Sequence, residues 1–173
     1  MNKIYVKAIT LIELIITLAV LAILSIIALP HYHNLMAKRE LNHVSQILRQ
    51  AIQTSKSWAR LHQSNMVICP SSSGQQCQTG EWNQGFIIFK DSDRDRQLDN
   101  NESIFNYTQL NLKYGDLTWR GTLSIPSLTF NAAQGLPIGS NGSFYYCAKT
   151  SNNHLRLVLS KMGHERTESP KTC

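Results

Sequence analysis

Lys7-Ala8-Ile9-Thr10-Leu11-Ile12-Glu13 runs directly into an almost wholly apolar segment that ends at Leu29-Pro30. The segment is long enough to cross a bilayer, because about 20 apolar residues rising 1.5 Å each span the hydrocarbon core. Lys3 and Lys7 stand in the short polar leader before it. One carboxylate, Glu13, lies inside the run near its start. An ionised side chain at that depth costs roughly 2.5–3.5 kcal/mol, so it needs a partner. An amine freed by a cut between Ala8 and Ile9 would supply one. An ordinary secretory signal and a plain single-span anchor are the alternatives. No clear A-x-A site follows the run, and a glutamate inside such a run is unfavourable for either.

The stretch resembles the class III signal of type IV pilins and pseudopilins, in which a prepilin peptidase cuts after a small residue and methylates the new N-terminus. Ala8 stands where that family usually has Gly, and Ile9 where it usually has Phe. Thr10-Leu11-Ile12-Glu13, the apolar run and Pro30 agree with the pattern. The resemblance implies a leader over 1–8, cleavage between Ala8 and Ile9, N-methylation of Ile9 and an assembly role for Glu13. It further implies a transmembrane and assembly half-helix over 9–34 and a periplasmic head over 35–173. The chain would sit in the bacterial inner membrane until drawn into a filament with other pilins.

Beyond Pro30 the helical pattern continues. Leu41, Val44, Leu48, Ala51, Ser55 and Trp58 recur at 3–4 spacing, widened by Ile47, Ile52 and Ala59, while Lys38, Arg39, Glu40, Arg49, Gln50 and Gln53 lie off the stripe. A helix from about Thr10 to Leu61 is expected, with Pro30 removing one backbone hydrogen bond. After Leu61 come short β-type runs separated by turn residues. They are Met66–Cys69, Gly85–Phe89, Ser103–Tyr107, Leu110–Tyr114, Leu117–Trp119, Ser127–Phe130, Ser143–Cys147 and Leu155–Ser160. A helix followed by antiparallel sheets is an α+β arrangement, here the pilin-like fold.

The 173 residues leave room for the anchor and one modest domain able to bury its own core. The formal charge is +6; losing residues 1–8 removes Lys3 and Lys7 and leaves 15 basic against 11 acidic side chains, or +4. That mild excess permits an anionic partner without demanding one. Cys69, Cys77, Cys147 and Cys173 are an even number in an exported context, which favours disulfides. Three connectivities are open. The expected one closes Pro70-Ser71-Ser72-Ser73-Gly74 with Cys69–Cys77 and pins the tail with Cys147–Cys173. Zinc is disfavoured, since neither the cysteine nor the histidine spacing fits a ligand set.

Trp82-Asn83-Gln84-Gly85-Phe86-Ile87-Ile88-Phe89, Asp91-x-Asp93-x-Asp95, Gly142-Ser143-Phe144-Tyr145-Tyr146-Cys147 and Leu157-Val158-Leu159-Ser160-x-x-Gly163 follow in that order. The order resembles the GspH/FimT type of minor pilins and secretion pseudopilins. Gly163-His164-Glu165-Arg166 is similar to the G-R-x-R motif of FimT-type minor pilins that bind DNA in natural transformation, with His164 replacing the first arginine. The resemblance implies a DNA-binding surface. Arg156, Lys161 and Arg166 would be its main contacts, and His164, Lys149 and Lys171 the lesser ones. Histidine is mostly neutral at pH 7, so one phosphate contact is weakened. A structural tip or priming pilin, or a type II secretion pseudopilin without DNA contact, is the alternative.

The loop from Asp91 through Asp93, Asp95, Gln97 and Asp99 to Glu102 sets oxygens at the offsets of a twelve-residue calcium loop. Arg96 stands where the sharp turn takes Gly, Arg94 adds a second positive charge, and no helix pair flanks the loop. A solvated hairpin turn with local Asp–Arg pairs and no metal is therefore the expectation. G-x-S-x-G, H-E-x-x-H and a phosphate-cradling glycine loop are all missing, so neither an enzyme nor a cofactor is expected.

Overall fold

The computed structural model describes residues 10–149 and 153–173. The cleavage and methylation positions, Ala8 and Ile9, lie outside the described residues. The chain divides into two compact units, residues 1–36 and 37–173.

Helix α1 (Leu11–Leu61) contains 51 residues with Pro30 inside it. In the first unit it exposes large apolar side chains, Leu11, Ile15, Leu21 and Leu29 among them. It is long and apolar enough to cross a membrane. In the second unit α1 buries Ala37, Val44, Leu48, Ala51, Ile52, Ser55 and Ala59, the face set by 3–4 spacing.

Among the described residues eight strands follow: β1 (Asn65–Pro70), β2 (Gly85–Asp91), β3 (Ile104–Gln109), β4 (Gly115–Gly121), β5 (Leu128–Phe130), β6 (Gly142–Ala148), β7 (Leu155–Leu159) and β8 (Glu165–Glu168). They form two four-stranded sheets, in the orders β3-β2-β1-β5 and β4-β6-β7-β8, with antiparallel pairing throughout. The α1 stripe, Met66, Ile68, Phe86, Ile88, Leu128 and Phe130 of the first sheet, and Leu117, Trp119, Phe144, Tyr146, Leu155, Leu157 and Leu159 of the second share one core. Val67, Cys69, Ile87 and Phe89 project the other way and form a smaller cluster with Cys77, Leu98 and Tyr107. That second cluster explains why β1 and β2 are buried on both faces instead of alternating.

Two expectations about strands change. Leu110–Tyr114 is a connection, not a strand: Leu110 and Leu112 donate to the Gln84 and Asn83 carbonyls, and Lys113 and Tyr114 donate to the Glu40 carboxylate. β8 is an addition, made of four polar residues whose pairing with β7 carries no apolar signal. Disulfides join Cys69 to Cys77 and Cys147 to Cys173.

Candidate nucleic-acid interface

The second sheet positions the basic residues. Along β7, Leu155, Leu157 and Leu159 are buried, which leaves Arg156 and Val158 on the opposite, outer face. Register then sets Arg156 between Tyr145 of β6 and Glu168 of β8. The Arg156 guanidinium donates to Glu168 Oε2 at 3.2 Å and to Ser143 Oγ at 3.2 Å. From the neighbouring position on β8, Arg166 reaches Glu168 Oε1 at 2.7 Å. One carboxylate thus holds two of the three expected main contacts.

A cation missed by the sequence reading completes this face. Arg120 of β4 lies with its Cζ 4.4 Å from the Tyr145 ring centroid, and Arg156 Cζ lies 5.3 Å from the same centroid. Arg120, Tyr145, Arg156, Ser143 and Ser160 line an open groove of about 410 Å³. The local sequence Trp119-Arg120-Gly121 gives no hint of it, because the ring that attracts Arg120 comes from another strand.

The turn from β7 to β8 carries Lys161 and His164. Gly163 adopts φ +72°, a left-handed conformation suited to glycine. Its N–H donates to the Ser160 carbonyl at 2.9 Å, and its carbonyl accepts Lys56 Nζ at 2.9 Å. His164 N–H donates to Ser160 Oγ at 3.1 Å. Lys161 and His164 are exposed, and neither belongs to an ion pair among the described residues. Glu165 faces the other way, accepting from Arg49 at 3.4 Å and from Gln53 at 2.6 Å, so its charge is spent on α1. Arg49 also donates to Thr167 Oγ1.

The remaining two cations are elsewhere. Lys149 pairs with Asp116 at 3.1 Å. Lys171 lines a separate cleft of about 390 Å³ with Lys38, Leu41 and His154. The six residues therefore do not make one patch: Arg156 and Arg166 share a sheet face, Lys161 and His164 a turn, and Lys149 and Lys171 stand apart.

Of the other site residues, Glu13 lies in the first turn of α1, where its N–H donates to Thr10 Oγ1 at 3.4 Å. Asp91 closes β2 and is buried, whereas Asp93, Asp95 and Asp99 are exposed. The expected Asp–Arg pairs do not form: among the described residues, neither Arg94 nor Arg96 joins an ion pair. Both arginines take left-handed conformations, φ +71° and +66°, and Arg96 lines a groove with Cys69, Cys77 and Pro126.

The family described as type II transport protein GspH matches residues 45–163. No curated protein sequence matches the chain. Two solved structures share its fold. The type IV minor pilin FimU of Pseudomonas aeruginosa is 16% identical, with a TM-score of 0.51, over 78% of this chain and 91% of that one. The minor pseudopilin EpsH of the type 2 secretion system of Vibrio cholerae is 13% identical, with a TM-score of 0.51, over 76% of this chain and 98% of that one.

Proposed function

This chain belongs to the family of the type II transport protein GspH and is a minor pilin or pseudopilin, and from that premise we propose that it captures DNA through the outer face of its second sheet for uptake in natural transformation. The observation that carries the proposal is the Arg120–Tyr145–Arg156 groove beside Arg166 and the Lys161–His164 turn. Guanidinium groups take phosphate oxygens in forked geometry, and such contacts hold DNA without reading sequence. The carboxylate already paired with Arg156 and Arg166 is no obstacle. Exposed ion pairs are worth only about 0–1 kcal/mol, so a phosphate can displace Glu168.

Family membership also supports the rest of the assignment: a structural subunit packed with other pilins, not an enzyme. The apolar part of α1 supports anchoring in the inner membrane before assembly, with the head in the periplasm. Cutting by the prepilin peptidase between Ala8 and Ile9 would place a methylated amine near Glu13.

A second reading is favoured by the ion pairs themselves. Lys149, Arg156 and Arg166 each face a carboxylate, which lowers the field a polyanion would meet. On that reading the subunit is a tip, priming or secretion component without DNA contact. Fluorescence titration of the detergent-solubilised chain with DNA, at two salt concentrations, separates the two. DNA capture requires affinity that falls as salt rises, by a slope that flattens by roughly one unit per contact removed in Arg156→Gln, Lys161→Gln or Arg166→Gln. No binding at low salt, or a triple variant that binds like the native chain, supports the structural subunit instead.

A further inference from the structure

Asp91 is a buried acid whose second oxygen has no protein partner. The residue is 1% exposed. Its Oδ1 accepts the Arg94 N–H at 2.7 Å, while Oδ2 is buried without a hydrogen bond among the described residues. Buried carboxylate oxygens are otherwise satisfied, because leaving one bare forfeits its hydration for nothing. The side chain faces two more acids: oxygens of Asp91, Asp93 and Asp95 lie within 4.8 Å of one another. Three carboxylates gathered this closely repel one another unless a cation stands among them.

We propose that the loop between β2 and β3 binds a hard divalent cation, calcium, through Asp91, Asp93 and Asp95. Calcium takes six to eight oxygen ligands in flexible geometry. In twelve-residue calcium loops these come from the first, third, fifth, seventh, ninth and twelfth positions. Here those positions are Asp91, Asp93, Asp95, Gln97, Asp99 and Glu102.

The arginine at the sixth position does not break the loop. Arg96 adopts φ +66°, so the backbone makes the left-handed turn that glycine usually provides. Glu102 closes the loop by accepting the Ser92 N–H at 2.6 Å and the Asp99 N–H at 3.4 Å. Leu98 anchors it to the apolar cluster of β1 and β2.

Calorimetry with calcium chloride on the EDTA-washed chain in a neutral detergent tests this. Saturable binding of one calcium per chain is expected, with a dissociation constant of about 10⁻³ M or tighter, and weaker binding of magnesium. Asp93 and Asp95 are exposed, so Asp93→Asn combined with Asp95→Asn should fold normally and bind calcium at least tenfold more weakly. Calcium should also raise the unfolding temperature of the native chain and leave that of the double variant unchanged. The proposal is overturned if no saturable heat develops up to about 10⁻² M calcium, an order of magnitude beyond the weakest such sites. It is equally overturned if the double variant binds calcium as tightly as the native chain.

Discussion

The Tyr146 hydroxyl donates to Glu40 Oε1 at 2.8 Å, joining the centre of the second sheet to α1. The same carboxylate accepts the Tyr114 N–H at 3.0 Å and the Lys113 N–H at 2.8 Å. Gly115 makes room for the ring, since a Cβ there would come within 2.3 Å of Tyr146 Cζ. One helical side chain thus satisfies three donors on the connection and strand packed against it.

Glu40→Ala should destabilise the fold by about 2–3 kcal/mol, because it strands donors that had a charged acceptor. Tyr146→Phe should cost about 1–2 kcal/mol. The double variant should lose less than the sum, since both changes remove one shared bond. Chemical denaturation of the four proteins gives the coupling directly.

Alkaline pH should act through the same pair. Burial, then the bond to Glu40, pushes the Tyr146 phenol well above its ordinary value of 10.0. The folded chain therefore keeps this proton where the unfolded chain releases it. The phenol's contribution is fully present below about pH 10 and is lost as pH rises beyond it. Denaturation midpoints on either side of pH 10 should fall less steeply in Tyr146→Phe than in the native chain.

The two disulfides should contribute unequally. Cys69–Cys77 spans 8 positions and Cys147–Cys173 spans 26. Loop-closure entropy then assigns them about 2.5 and 3.5 kcal/mol, respectively. Cys77→Ala and Cys173→Ala, compared by denaturant unfolding, should rank in that order. Non-reducing peptide mapping should recover the same two pairs.

Under the DNA-capture proposal, Glu168→Gln should tighten binding. It frees both Arg156 and Arg166, which now share that carboxylate. The salt slope should steepen by roughly one unit, the signature of an added phosphate contact. Arg120→Gln should weaken binding and flatten the slope by a similar amount. A salt titration of each variant reads both effects.

Intact-mass measurement of the membrane-extracted protein should show loss of residues 1–8 with gain of one methyl. Glu13→Ala should be processed normally yet enter filaments poorly, because the amine at the new N-terminus loses its counter-charge. Immunoblots of sheared filaments against whole cells would show the deficit.

Much of the fold is legible in the residue pattern for a physical reason. The α1 stripe and the alternation of Leu155, Leu157 and Leu159 repeat the periods at which a helix and a strand bury one face. Leu110–Tyr114 misleads because its apolar residues, Leu110 and Leu112, pack on the core from a connection, while its backbone is satisfied by Gln84, Asn83 and Glu40. The site is less legible than the fold. Charges along Lys149–Lys171 can be counted, but whether each is free depends on register. Glu168 meets Arg156 only because β8 pairs with β7, and Arg120 meets Tyr145 only because β4 pairs with β6. Asp91 looks like one more solvated acid until its position at the end of a doubly covered strand is known.

β8 stands at the free margin of its sheet. Such a margin presents unused backbone donors and acceptors onto which a foreign strand can zip, and charge is the usual deterrent. Glu165, Arg166 and Glu168 place three ionised groups on a strand of four residues. Glu165 is already turned onto α1, but an incoming strand would have to dehydrate Arg166 and Glu168 without offering matched partners, which disfavours cross-β growth from this margin. The margin is thereby guarded by the same Arg166–Glu168 pair that a polyanion would have to open.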